Sequence, residues 1–217
     1  MLLTRFLKAG SGVFPLYLRC GFSWESAELY WLRRFLAAVR SPNLLPLQVV
    51  DMPLRSVYGA RSTSLTSCRA QSRDGAHWSL TRRRIPGAES ADAAVYLPGR
   101  NVLLLSYAAV ACAPQGIRTI ALGTLSGNPF GDATKRFFRE MASCLTQALR
   151  HPIRIIAPLR RLTKPQLIRR AARIPLGLTF SCLNPRGRRH CGRCNKCAER
   201  RRAFRAAGIV DPTLYAA

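Results

Sequence analysis

Acidic residues are scarce in this chain. Ten Asp and Glu stand against 35 Lys and Arg in 217 residues, a formal charge of +25. Lysine is nearly absent too: only Lys8, Lys135, Lys164 and Lys196 occur, so arginine carries the charge. The arginines are dispersed from Arg5 to Arg205, which excludes a basic arm. The imbalance would suit a phosphate-bearing partner, because neutralising phosphates releases counterions. A solvated arginine-rich surface accounts for the same composition, and charge alone does not choose between them. Long apolar runs are also missing. Ala108 to Ala113 and Ile153 to Leu159 fall far short of the roughly 20 residues a membrane-spanning helix needs. The start, Met1 to Gly12, lacks a sustained apolar run followed by a small-residue cleavage site. A cytoplasmic globular protein without a membrane partner is the expectation.

Eight cysteines in a chain of this size and expected compartment point to metal or free thiols rather than disulfides. Cys20, Cys68, Cys112 and Cys144 are isolated from one another and are assigned no chemistry. Cys182, Cys191, Cys194 and Cys197 form C-x8-C-x2-C-x2-C, in which three thiolates lie within seven residues and the fourth returns from one loop upstream. Four soft ligands so spaced close a tetrahedron around zinc and leave no position for water, so the site is structural. A ferredoxin-type cluster continues with C-x3-C-P, whereas position 201 is Arg. His190 is read as a surface neighbour, and Arg186, Arg188, Arg189 and Arg193 as offsets to the thiolate charge.

The chain alternates strand-like and helix-like segments, which predicts parallel strands joined by crossover helices. Strands are expected at Val13 to Cys20, Leu47 to Met52, Thr119 to Leu122 and Ile153 to Pro158. Ser23 offers an N-cap for a helix reaching Arg40, with Trp24, Ala27, Trp31, Phe35 and Ala38 at helical spacing on the core side. Arg55 to Ala94 reads as a long polar excursion of the kind that carries a lid or binding loop. Pro98 is expected to open a helix whose continuation, Val102 to Cys112, is apolar almost all round and therefore buried. A helix is expected from Ala133 to Arg150, and Thr163 caps a short one with Pro165 near its start. Gly123 to Asp132 is a strand-to-helix loop, and ligands of open α/β sheets lie at such strand ends.

The tail from Phe180 to Ala216, FSCLNPRGRRHCGRCNKCAERRRAFRAAGIVDPTLYA, resembles the zinc-bearing end of the 7-cyano-7-deazaguanine synthases. The resemblance extends, in the family's order, through VFPLYLRCGFSWESAE, AVYLPGRNVLLLSYAAVA, IALGTLSGNPFGDATKRFF and PIRIIAPLRRLTKPQLI. It implies a Rossmann-like α/β fold of the ATP pyrophosphatase type over residues 1–174, with a zinc-binding subdomain at 175–217. It also implies a ligase that uses ATP with Mg and ammonia to turn 7-carboxy-7-deazaguanine into the nitrile. Arg100, Asn101, Gly123, Asp132 and Lys164 then fall at the nucleotide and substrate site. Arg100 and Lys164 would contact phosphate or purine, and Asp132 a magnesium ion or a base edge. The alternative is that the two cations decorate helix starts and Asp132 caps the helix at Ala133.

The partners implied are ATP, the deazapurine and ammonia. A homodimer is compatible with the resemblance, and nucleic acid is disfavoured because no recognition element is evident. The family's Ser-Gly-Gly-x-Asp-Ser phosphate loop is not found, and Lys8 to Gly12, KAGSG, reads as a turn. The expectation is a chain truncated at its N-terminus, lacking a central strand between the Val13/Leu47 pair and the Thr119/Ile153 pair. An inactive relic of the family and a basic zinc-containing nucleic-acid-binding protein are the alternatives. No catalytic residue is assigned.

Overall fold

The computed structural model describes residues 1–52, 54, 85–90 and 92–216. Most of the polar excursion expected at Arg55 to Ala94, and Cys68 with it, lies outside the described residues. The chain divides into two compact units. One comprises Met1–Leu18, Asn43–Val49 and Leu97–Leu167; the other comprises Arg19–Pro42, Val50–Tyr96 and Ile168–Ala217.

Parallel pairing follows the expected strands in shortened form. β1 (Leu16–Arg19) pairs with β2 (Gln48–Asp51), and β3 (Thr119–Ala121) pairs with β4 (Arg154–Ile156). Bonds from Gln48 N to Pro15 O and from Met52 N to Arg19 O advance together along the first two strands, as parallel neighbours require. In the second pair the register sets Thr119 opposite Arg154, Ile120 opposite Ile155 and Ala121 opposite Ile156. Among the described residues the two pairs form separate sheets.

In the first unit, α1 (Leu2–Lys8) ends in a turn at Gly10, whose φ of +74° glycine adopts without strain. KAGSG is therefore the end of a helix rather than a loop leading into one. The core is built where α3 (Arg100–Cys112) and α4 (Lys135–Leu149) cover the second strand pair, burying Leu105, Ala108, Ala109, Ile120, Phe138, Leu145 and Ile153. Three sequence expectations need correction here. Pro98 does not open α3: Gly99 stands before it in the left-handed region, and the helix starts at Arg100. Nor is α3 buried all round, because it packs on one side only, leaving Val102, Tyr107 and Val110 exposed. The helix expected at Ala133 begins at Lys135, since Gly131–Ala133 forms a 3-10 turn and the Thr134 side chain takes the cap by accepting from Phe137 N. Thr163 caps α5 (Lys164–Arg170) as expected, its Oγ1 accepting from Gln166 N, and Gln166 Oε1 completes a capping box by accepting from Thr163 N.

In the second unit, α2 (Glu25–Ala38) buries Ala27 and Phe35, whereas Ala38, expected in the stripe, is exposed. Ser23 is not its cap. Instead the buried Glu25 carboxylate turns back to accept from Cys20 N at 2.5 Å and Gly21 N at 2.9 Å, bracing the chain as it leaves β1. α6 (Asn195–Ala207) presents Ala203, Phe204 and Ala207 to Ile168. Arg169 caps its C-terminal end by donating to the carbonyls of Ala206 and Ala207. No helix among the described residues is long and apolar enough to cross a membrane.

Candidate metal centre and the loops at the strand ends

The four cysteines of the tail converge because each sits where the backbone turns. Cys182 follows the 3-10 turn Leu176–Leu178, and Cys191 follows a tight hairpin closed between Arg186 and Arg189. Cys194 is the N-cap of α6, and Cys197 lies in its first turn. Gly192 holds φ at +73° in the knuckle between Cys191 and Cys194, a conformation that would strain a side chain. All four Sγ atoms lie within 4.8 Å of one another. The Cys182–Cys194 and Cys191–Cys197 distances are both 4.0 Å. A tetrahedron with Zn–S bonds of about 2.3 Å has edges of about 3.8 Å, so these residues fit a zinc ion.

The backbone is arranged for thiolates. Asn184 N and Cys191 N donate to Cys182 Sγ at 3.3 and 3.2 Å, Leu183 N donates to Cys194 Sγ, and Arg193 N donates to Cys191 Sγ. The N-terminus of α6 adds its dipole at Cys194 and Cys197. The sulfurs alone are in conflict. Hydrogen bonding from Cys182 holds the Cys194 thiol far below its ordinary pKa, and the same bond pushes Cys182 far up. For Cys197 the bond to Cys182 acts downward, but the bond to Cys194 and burial outweigh it and push the thiol up to about 12. A divalent cation at the centre removes the conflict by letting all four ionise.

Around the sulfurs stand groups the sequence reading missed. Asn195 is wholly buried; its N–H donates to Pro86 O, its side-chain amide to Ser90 O, and Gly87 bridges Cys194 in antiparallel fashion. Residues 85–90, at the far end of the polar excursion, are thus bound to the knuckle. Arg200, in a run of three arginines that reads as solvated, is buried. It donates to Thr213 Oγ1, Thr179 Oγ1 and Leu176 O, with Asp211 at 3.6 Å. Nothing in an Arg-Arg-Arg run marks the buried member except its spacing from Ala203, Phe204 and Ala207. His190 is not the surface neighbour expected but is buried, its Nε2 accepting from Ser181 N. Burial, aided by the charge of Arg200, lowers its pKa to about 4 and keeps the ring neutral. Of the four arginines expected to balance the thiolates, Arg186 and Arg193 line a cleft of about 340 Å³ over Cys191 and Cys194, while Arg188 lies over the Tyr30 ring.

The other predicted site residues all belong to the first unit. Asp132 does not cap its own helix; its carboxylate reaches across to accept from Asn101 N at 3.0 Å, and Asn101 Nδ2 donates back to Asp132 O at 3.0 Å. The acidic group therefore sits at the N-terminus of α3, where the macrodipole favours it. Asp132 Oδ1 and Thr124 Oγ1 are buried without a hydrogen-bond partner. Ser126 N donates to Leu162 O, tying the loop after β3 to the segment after β4, two residues before Lys164. Arg100 and Lys164 are the first residues of α3 and α5. Gly123 is exposed, and a side chain there would meet nothing within 4 Å. The loops thus bring Asn101 and Asp132 into contact, and Arg100 follows as the neighbour of Asn101.

An α/β chain with parallel strand pairs and a four-cysteine centre able to hold a metal is the class defined so far. Residues 55–208 match the family described as queuosine biosynthesis protein QueC. The chain belongs to that family. Its curated relatives include proteins named 7-cyano-7-deazaguanine synthase. The one from Anaeromyxobacter dehalogenans (strain 2CP-C) is 39% identical over 132 residues, 56% of either chain. That from Azoarcus sp. (strain BH72) is 42% identical over 134 residues, 56% of this chain and 58% of the relative. That from Methanococcus maripaludis (strain DSM 14266) is 32% identical over 133 residues, 56% and 57%. The chain thus spans a little over half the length of the relatives it matches.

Proposed function

We propose that the chain forms part of a 7-cyano-7-deazaguanine synthase, an ATP-dependent ligase that makes a nitrile from 7-carboxy-7-deazaguanine and ammonia in queuosine biosynthesis. The observation that carries this reading is the family match over residues 55–208, joined by relatives that bear that name. A carboxylate is a poor electrophile, so ATP supplies activation by adenylation, ammonia displaces AMP to give an amide, and a second activation allows the amide to lose water.

This chain's residues would serve binding and orientation. Asp132, fixed by Asn101, offers its unpartnered Oδ1 to a magnesium ion or a base edge. Arg100 and Lys164, at the starts of α3 and α5, would hold phosphate oxygens. The open space at Gly123 lets a ligand approach the backbone. The fold of the whole enzyme would be Rossmann-like, with a further strand joining the two parallel pairs. The zinc would be held by Cys182, Cys191, Cys194 and Cys197 as a folding staple.

The test is ATP- and ammonia-dependent conversion of 7-carboxy-7-deazaguanine, read by mass spectrometry, for this chain and for a version extended upstream. Turnover in the extended version with Asp132→Ala at least tenfold slower is the expected result. Absence of nitrile and of AMP from both versions would sink the reading in favour of an inactive relic.

A further inference from the structure

The dispersal of arginine along the sequence argues against a nucleic-acid surface, but folding gathers part of it. Between positions 186 and 205 stand nine Lys and Arg and one Glu. Several of these cations are fixed in place rather than left trailing in solvent. The Arg188 guanidinium lies 4.0 Å from the Tyr30 ring, with Arg34 at 5.6 Å from the same ring, and Trp31 Nε1 donates to Arg188 O. Arg201 lies 4.0 Å over the Tyr215 ring and donates to Gly192 O, in the knuckle. Arg186 and Arg193, both exposed, face the same cleft. These contacts tie α2 to the 186–193 loop, and that loop to α6 and the tail, within the second unit.

Four of the described carboxylates of that unit are engaged elsewhere. Asp211 serves Thr213, Tyr215 and buried Arg200; Glu199 pairs with Lys196; Asp51 pairs with Arg19; and Glu25 holds two backbone N–H groups. Four thiolates on a divalent ion leave a double negative charge, fewer than the four arginines of the loop alone. A concentration of like charge repels itself, and an anionic partner relieves it. Guanidinium groups bind phosphate through a planar fork, and aromatic rings interleaved among them suit unpaired bases.

We propose that the surface formed by Arg34, Arg186, Arg188, Arg193 and Arg201 around the four-cysteine centre binds the phosphodiester backbone of a single-stranded polynucleotide. This goes beyond the ligase reading and does not depend on it.

The experiment uses the zinc-loaded full chain and a labelled single-stranded RNA of about 20 nucleotides, with affinity followed by fluorescence anisotropy over a range of salt. The triple variant Arg186→Ala, Arg188→Ala, Arg193→Ala is compared with Arg118→Ala, Arg139→Ala, Arg160→Ala from the first unit, which removes the same charge. The first triple is expected to weaken binding at least tenfold and to flatten the log–log salt slope by about 2, at roughly 0.7 for each lost phosphate contact; the second should change affinity less than threefold. Zinc content reports whether the centre survives. Arg188→Ala alone, whose guanidinium lies on Tyr30, repeats the comparison against Arg139→Ala if it does not. Equal losses in the matched variants overturn the proposal, since charge would then act diffusely. So does absence of binding at moderate salt, and so does displacement of the RNA by millimolar pyrophosphate, which would mark a small-anion site.

Discussion

Arg200 shows what one buried cation can hold. Its guanidinium joins Thr179, Leu176, Thr213 and Asp211, so the tail from Asp211 to Tyr215 is fastened to α6 through it. Arg200→Ala would leave the half-buried Asp211 with less compensation and two threonine hydroxyls without their donor, and a loss of about 3–5 kcal/mol in chemical denaturation is expected. A loss below about 1 kcal/mol would mean that the tail is fastened otherwise. His190 carries a pH dependence whose sign follows from its environment. Folded, its pKa is about 4; unfolded, it returns to an ordinary 6.5. Protons therefore bind the unfolded chain more tightly. The contribution is full above pH 6.5 and drains as pH falls towards 4, by about 3 kcal/mol in all. The stability difference between the protein and His190→Gln should shrink across that window, and a difference constant from pH 7 to 4 would show that the ring is not held neutral. Neither residue was legible from sequence. A histidine beside a cysteine and an arginine within a run look solvated until the tail is seen to fold over them.

At the scale of elements, local chemistry was read well where the partners are close in sequence. The Thr163 cap and the knuckle of Cys191, Cys194 and Cys197 depend on groups a few residues apart. Caps supplied from a distance were misread. The alternative in which Asp132 caps the helix that follows it fails, because Thr134 takes that place and Asp132 serves α3, 31 residues upstream. Spacing cannot report such a bond, because the geometry that makes it comes from packing α3 against α4. Asp132→Ala should cost about 1 kcal/mol and raise amide exchange selectively at the first turn of α3. Unchanged protection at Asn101 would remove the capping role and weaken the case that Asn101 orients the carboxylate. Ser23 failed as a cap for a related reason: Glu25 uses its carboxylate on the strand end instead.

Over the whole molecule, the parallel α/β character was visible in the alternation of strand-like and helix-like segments. The division into two discontinuous units was not, since Arg19–Pro42 lies far in sequence from the tail it joins. That division gives a prediction. Removal of the metal with a chelator should unfold the region from Cys182 to Tyr215 while leaving the core around Leu105, Ile120 and Phe138 protected, as followed by hydrogen exchange. Simultaneous loss of both would show that the centre supports the first core as well.

The central expectation is a closed four-thiolate metal centre in the tail of this QueC-family chain. X-ray absorption at the zinc edge on the purified full chain tests it most directly. One zinc per chain, with four sulfur neighbours at about 2.3 Å and no oxygen or nitrogen shell, is the predicted spectrum. A coordinated water or nitrogen in place of one sulfur, or a chain that retains no metal, would contradict it.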